Sequence, residues 1–241
     1  MNEKYYQLEQ KDKAADIYIF GDITSWPWLE SDVSAYNLSK EIARLDVDAI
    51  TIHINSYGGE VAEGLAIYNE LKNHKAKVTT ICSGFACSIA SVIFMAGDER
   101  VMNESSLLMI HNAWTRVSGN AEALRKQAED LETITQASIK AYMTGATITE
   151  DKVKELMDNE SWILPADAVL WGFATAIESA GEEDKPSQSV RKKVFEKMAR
   201  EESQEKTIEE IVKETIVQLK NQIEPKEPTK SLKETLAGFF M

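Results

Sequence analysis

A serine becomes a nucleophile only where neighbours can take its proton and stabilise the anion it creates, and Ser88 is placed for both. The β-branched run Val78-Thr79-Thr80-Ile81 predicts a strand, and Ser83-Gly84-Phe85-Ala86-Cys87 leads out of it through a glycine turn. Beyond that, Ile89-Ala90-Ser91-Val92-Ile93-Phe94 reads as an apolar helix. Ser88 then falls at the first helical turn, where unpaired backbone N–H groups and the positive dipole end favour a developing anion. Gly84, Ala86 and Ala90 leave room for a substrate backbone, and the Ile89 N–H can point at a tetrahedral oxyanion. A serine that simply caps a buried helix fits this stretch equally well.

A hydroxyl nucleophile needs a base, and the chain has only three histidines. His74 sits in a charged helix end, Lys72-Asn73-His74-Lys75, and His53 lies within an alternating strand on the face opposite Ile52 and Ile54. His111 follows the apolar run of residues 106–110 directly, at the exit of a core strand where catalytic side chains collect. Alone it would read as structural; the company of Ser88 and of a double glycine reverses that. Asp158 and Glu160 are the carboxylates closest to the short extended segment at Trp162, and either can orient His111. With 40 acidic residues in the chain, a carboxylate by itself identifies nothing.

The double glycine lies in Ser56-Tyr57-Gly58-Gly59-Glu60, between a strand and a helix. Such a turn can aim backbone N–H groups outward as an oxyanion hole or a phosphate cradle, or serve only as a turn. Neither G-x-x-x-x-G-K-[ST] nor G-x-G-x-x-G occurs, so nothing matches a phosphate or dinucleotide fingerprint. Cys82 and Cys87 flank the strand-to-helix turn too closely for a disulfide and read as reduced, buried thiols. No metal-ligand cluster is visible, and the chemistry outlined requires no metal or cofactor.

The elements that must position these residues alternate between strand and helix, which predicts an α/β fold. Polar residues 1–14 read as an N-terminal arm, residues 15–23 as a strand, and Ser25-Trp26-Pro27-Trp28 as a loop. Ser31-Asp32 can cap a helix with Val33, Tyr36, Leu38, Ile42 and Leu45 near one face. Strands follow over residues 48–55, 77–83, 100–102 and 106–110, with a helix over 61–71. From Gly119, apolar residues recur every three or four positions for about seven turns and stop at Gly145, a helix long enough to serve as a subunit contact. Thr149 caps a shorter helix, and a turn, a short strand and a last helix near residues 166–172 close the body, residues 15–180.

The composition is 43% hydrophobic and 28% charged, that of an ordinary globular protein. The net charge of −13 falls almost entirely on the first 180 residues, which disfavours nucleic acid or anionic membrane as partner. Neither a signal sequence nor an 18-residue apolar run occurs, which points to the cytoplasm. Residues 181–241 form a linker and a charged tail in which Ile208, Ile211, Val212, Ile216, Leu219 and Ile223 trace one helical face before Pro225. Such a helix needs a partner.

Four blocks in order resemble the Clp protease proteolytic subunit family, its phage and prophage branch most of all. They are Ile54-Asn55-Ser56-Tyr57-Gly58-Gly59, Gly84-Phe85-Ala86-Cys87-Ser88-Ile89-Ala90, Met109-Ile110-His111-Asn112, and Trp162 with Ala166-Asp167-Ala168 and Gly172-Phe173. The resemblance covers about residues 15–178. It implies a ClpP/crotonase-type fold of repeated β-β-α units with a protruding long helix, and a self-compartmentalised serine endopeptidase. It also implies a homo-oligomeric ring, heptameric or stacked. By position it makes Ser88 the nucleophile, His111 the base, and the N–H groups of Gly58 and Ile89 the oxyanion hole. Gly59, Glu60 and Asn112 fall at substrate-binding positions. Glu160 stands where the family carries aspartate, with Asp158 as the alternate acid. Tyr57 replaces a usual proline, and Asn112-Ala113 replaces glutamine-proline.

The short arm lacks the family segment that meets an ATP-driven (AAA+) unfoldase. With the added tail, this suggests a capsid maturation protease acting on capsid or scaffold proteins. Two other classes remain: a crotonase-type acyl-thioester enzyme that uses only the paired N–H groups, and a non-catalytic capsid-assembly ring. A housekeeping Clp subunit working with an unfoldase is the nearer alternative.

Overall fold

The computed structural model describes residues 6–25 and 33–178. The helix cap expected at Ser31-Asp32 and the tail expected over residues 181–241 lie outside them. All described residues belong to one compact unit, Met1–Lys185.

Tyr6–Lys11 (β1) turns at Asp12 into Ala14–Phe20 (β2), antiparallel, with Leu8 opposite Ile17. The segment read as a polar arm therefore contains a strand. It hides from periodicity because an edge strand buries little: Leu8 is half-buried, whereas Glu9, Gln10 and Lys11 are exposed. Ile23–Thr24 (β3) and Val33–Ser34 (β4) form a separate parallel pair. Ala35–Ile42 (α1) buries Ala35, Leu38 and Ile42. Tyr36, expected on that stripe, is 63% exposed. The helix begins at Ala35, so its inward stripe runs 35, 38, 42 and leaves Tyr36 about 100° away.

Ala49–Ser56 (β5) lies parallel to β2 and turns Ile50, Ile52, Ile54 and Ser56 inward. Val61–Asn73 (α2) crosses back to Lys77–Cys87 (β6), parallel to β5. Then come Ile89–Phe94 (α3), Glu99–Asn103 (β7), Leu107–Ile110 (β8), Ala121–Met143 (α4), Glu150–Asp158 (α5), Ser161–Ile163 (β9), Pro165–Leu170 (α6) and Ala176–Glu178 (β10). The main sheet runs β1-β2-β5-β6-β7-β10, and β8 joins β6 to β9. β6 is the shared member: Thr79–Cys82 pairs with β7, and Phe85–Cys87 pairs with β8.

The glycine turn expected at Gly84 is not a turn. β6 continues through it to Cys87 because Asn55 fills the place of a ladder partner, its Oδ1 accepting from the Phe85 N–H at 3.1 Å. A Cβ on Gly84 would lie 2.6 Å from that oxygen, so glycine is required for close approach rather than for chain reversal. The register of β5 against β6 shifts at this point, between Ile54 and Ser56.

Twenty-three residues make α4 about 34 Å long at the ordinary helical rise. Asn120 caps it, its side chain accepting from the Ala123 N–H. Burial is confined to its last turns, at Thr135, Ser138, Ile139, Ala141 and Tyr142, while Leu124 and Ile134 are exposed. The capped helix expected after residue 149 is α5, with Thr149 accepting from the Lys152 N–H.

The end of the sheet is tied by Arg100. Its guanidinium donates to the carbonyls of Phe173 (2.8 Å), Gly97 (2.9 Å) and Gly172 (3.2 Å), joining β7 to the turn after α6. Arg100→Met leaves three carbonyls without their cationic donor. It should lower unfolding free energy by about 2–4 kcal/mol, read as a shifted denaturant midpoint, because charge-assisted hydrogen bonds at part-buried sites are worth about 1.5–3 kcal/mol each and compensate incompletely. An unshifted midpoint would show that the turn is held without it.

Candidate active site

The site forms where two neighbouring parallel strands end. Cys87 of β6 stands opposite Met109 of β8, so the residues that leave those strands, Ser88 and His111, emerge side by side. The Ser88 N–H donates to the Met109 carbonyl at 2.8 Å, continuing the ladder one step past the last strand residue. His111 Nε2 and Ser88 Oγ then meet at 2.7 Å. Ser88 is the N-cap of α3, at φ 54° and ψ −131°, a conformation L-residues rarely adopt. Its side chain makes no capping bond, which leaves the hydroxyl to His111. The plain reading of Ser88 as a helix cap is thereby removed.

The other histidines are otherwise engaged. His74 accepts from the Ala76 N–H through Nδ1 at 3.0 Å and donates through Nε2 to the Leu45 carbonyl at 3.1 Å, which fixes the ring in a turn. His53 stacks on Tyr18 with 4.6 Å between ring centroids. Cys82 and Cys87 are free and buried, and burial pushes both thiols up to about 12. Neither supplies a thiolate near neutral pH.

His111 is half-buried, and desolvation lowers its pKa below 6.5, while the negative charge of Glu160 acts in the opposite direction. No hydrogen bond joins His111 to Glu160 or Asp158 among the described residues. Asp158 instead accepts from Asn112 Nδ2 at 2.8 Å. Of the two carboxylates, Glu160 is the one whose field reaches the imidazole. It sits at φ 47°, in the left-handed region, at the turn between α5 and β9.

The double glycine comes against Ser88. A Cβ on Gly58 would lie 2.7 Å from Ser88 Cβ, 2.8 Å from the Cys87 carbonyl oxygen and 3.1 Å from the Ile89 nitrogen. Gly58 and Ile89 are thus adjacent, yet their N–H groups are not equivalent. Ile89 opens α3, where an N–H has no intrahelical acceptor. The Gly58 N–H donates to Ser56 Oγ at 3.0 Å, and Ser56 Oγ in turn donates to the Gly21 carbonyl at 2.5 Å. Both N–H groups were expected to face outward; a serine two residues before the glycine here takes that of Gly58 in a local side-chain turn.

Among the described residues, Gly59 is held from one side. The Ile23 N–H donates to the Gly58 carbonyl and the Glu60 N–H donates to the Ile23 carbonyl, both at 2.8 Å, so strand geometry turns the N–H and C=O of Gly59 to the opposite edge. The side chains of Glu60 and Asn112 both have partners within the chain. Ser25 and Thr24 hold the Glu60 carboxyl below its usual range, the Thr24 hydroxyl donating to it at 2.8 Å, and Asn112 is bound to Asp158.

A sequence profile of the Clp protease family matches residues 32–180, which contain every candidate residue named above. The chain belongs to the Clp protease family. It is also 33% identical over 130 residues to the ATP-dependent Clp protease proteolytic subunit of Deinococcus radiodurans. That match covers 53% of this chain and 64% of the relative, so the chain spans a little under two-thirds of that protein's length. The mixed α/β architecture, a central sheet with helices around it, is consistent with the ClpP fold. Among the described residues, no helix is long and apolar enough to cross a membrane.

Sequence reasoning missed Ser56, Ser91 and Tyr142 as polar neighbours of the site. Ser56 carried a usable signal, the Ser-x-Gly spacing of a side-chain turn. Tyr142 carried none, since an aromatic residue at helical spacing reads as core.

Proposed function

We propose that this chain is a serine endopeptidase that hydrolyses peptide bonds through Ser88 and His111. The observation that supports it most directly is the 2.7 Å contact between Ser88 Oγ and His111 Nε2. His111 accepts the Ser88 proton as Oγ adds to the substrate carbonyl carbon, and the Ile89 N–H faces the oxyanion. His111 returns the proton to the departing amine, leaving an acyl ester on Ser88, and then activates the water that cleaves it. The Gly58 N–H completes the oxyanion hole when the substrate oxygen displaces Ser56 Oγ from it. Gly59 offers its outward edge to the substrate backbone.

The substrates we propose are capsid or scaffold proteins of a phage or prophage, cleaved inside a homo-oligomeric ring in the bacterial cytoplasm, with the exposed length of α4 as a subunit contact. The phage-like sequence blocks support this reading, and the exposed Leu124 and Ile134 support the contact. Titration with a fluorophosphonate, run beside the particle mass in solution, tests both parts. One label per chain on Ser88 in a particle of several subunits is expected. A folded chain that takes up no label would remove the protease assignment, and peptide cleavage that appears only with an ATPase present would remove the capsid role.

Glu160 is the acid in this reading, acting on His111 through its charge. A general base works as the neutral imidazole, so kcat/KM should rise with pH through an inflection below 6.5. Glu160→Gln removes the charge that favours the imidazolium and should move that inflection further down, while Asp158→Asn should leave it in place. An unmoved inflection in Glu160→Gln would transfer the role elsewhere.

A further inference from the structure

Ser88 is held in a backbone conformation that is strained for a non-glycine residue, so surrounding bonds must over-determine it. One such bond is the ladder extension from its N–H to Met109. The others converge on its carbonyl. The Ser91 N–H donates to the Ser88 oxygen at 3.0 Å, and Ser91 Oγ lies 2.5 Å from the same oxygen. A carbonyl only accepts, so the Ser91 hydroxyl is the donor, and its lone pair is left to accept from the Tyr142 hydroxyl, 2.7 Å away. The polarity of the chain Tyr142 O–H, Ser91 O–H, Ser88 C=O is therefore fixed.

Both hydroxyls are enclosed, Ser91 and Tyr142 each being 1% exposed, and the Tyr142 ring is wedged edge-on against Phe173. Tyr142 belongs to the last turns of α4, and from the same buried face, two turns earlier, Thr135 Oγ1 accepts from the N–H of Ala113, two residues beyond His111. The root of α4 thus holds the backbone just after His111 directly and the Ser88 carbonyl through the Ser91 side chain.

We infer that Ser91 and Tyr142 are positioning residues, a buried hydroxyl relay that fixes the Ser88 peptide so that Oγ stays in line with His111. This rests on Ser88 being the nucleophile. A donor that is itself an acceptor binds its own acceptor more tightly, and the Tyr142 bond also locks the Ser91 rotamer toward Ser88. Without the phenolic oxygen, Ser91 is free to turn toward another carbonyl, and the nucleophile loses its aim rather than its chemistry.

The test is a double-mutant cycle on the full chain with Tyr142→Phe, Ser91→Ala and both together. The readouts are kcat and KM on a peptide, the rate of Ser88 labelling by a fluorophosphonate, and the melting temperature. Tyr142→Phe is expected to lower kcat and the labelling rate about five- to tenfold, the rate equivalent of one neutral hydrogen bond, with KM within about twofold. The double variant should be no slower than Ser91→Ala alone, because the relay acts through Ser91. Additive losses, or a lower melting temperature with an unchanged labelling rate, would reduce the pair to ordinary core satisfaction and overturn the inference. Failure of the wild-type chain to label at Ser88 would instead remove the nucleophile itself, a result distinguishable from the others at the first measurement.

Discussion

Ser88→Ala is expected to lower peptidase activity by about 10⁴- to 10⁶-fold and to abolish fluorophosphonate labelling, with the fold intact. The loss is large because, in the proposed mechanism, nucleophile and base act as one unit: without Oγ there is no acyl-enzyme, and His111 has nothing to deprotonate. Stability should hardly change. The Ser88 side chain makes no capping bond, its main contact is to His111, and the backbone bonds to Met109 and Ser91 involve atoms that alanine keeps. Alanine at this φ carries a strain like that of serine, so the melting temperature should stay within a few degrees. A variant that retains its activity would mean that catalysis runs through another group, and the protease reading would have to be rebuilt around it.

Gly58→Ala should cost on the order of a hundredfold or more in kcat, the penalty of displacing a reacting group by about an ångström. The added methyl would sit 2.7 Å from Ser88 Cβ and 2.8 Å from the Cys87 oxygen, and φ at Gly58 is 102°, where an L-residue is strained. Something must move, and the atoms in the way belong to Ser88 and its two chain neighbours. Gly59→Ala gives the control. Its methyl would meet the Ile23 carbonyl oxygen at 2.0 Å, main chain of β3, and its damage should appear first as loss of stability. Slow labelling of a well-folded Gly58→Ala beside a poorly folded Gly59→Ala would separate the two glycines by function. Equal behaviour of both would argue that the turn is purely structural.

Much of this arrangement is written locally. Ile50, Ile52 and Ile54 alternate, and their strand is found where the alternation lies. Apolar residues at three- and four-residue spacing mark α4, and its cap and C-terminal stop fall within a few residues of the expected ends. β1 escaped because an edge strand has no buried face to imprint a period. Gly84 misled because a glycine admitted for close approach to Asn55 has the same letter as one admitted for a turn. Tyr36 misled because it stands about 100° from Ala35 around the helix, off the stripe that Ala35, Leu38 and Ile42 bury.

The sequence by itself determined the alternation of the central strands and helices and the position of Ser88 at a helix start and of His111 at a strand exit, each from neighbours within one or two turns of chain, and the family, from four blocks in order. Only the tertiary structure decided that these ends are adjacent, through the β6–β8 register, and which atoms satisfy one another around them. Asn112 takes Asp158, Ser56 takes the Gly58 N–H, and Tyr142 reaches the Ser88 peptide through Ser91. Hydrogen bonds form only within a few tenths of an ångström and a narrow range of angles, between groups up to 51 residues apart here. Periodicity records which face of an element is buried, whereas pairing of this kind is set by how whole elements dock.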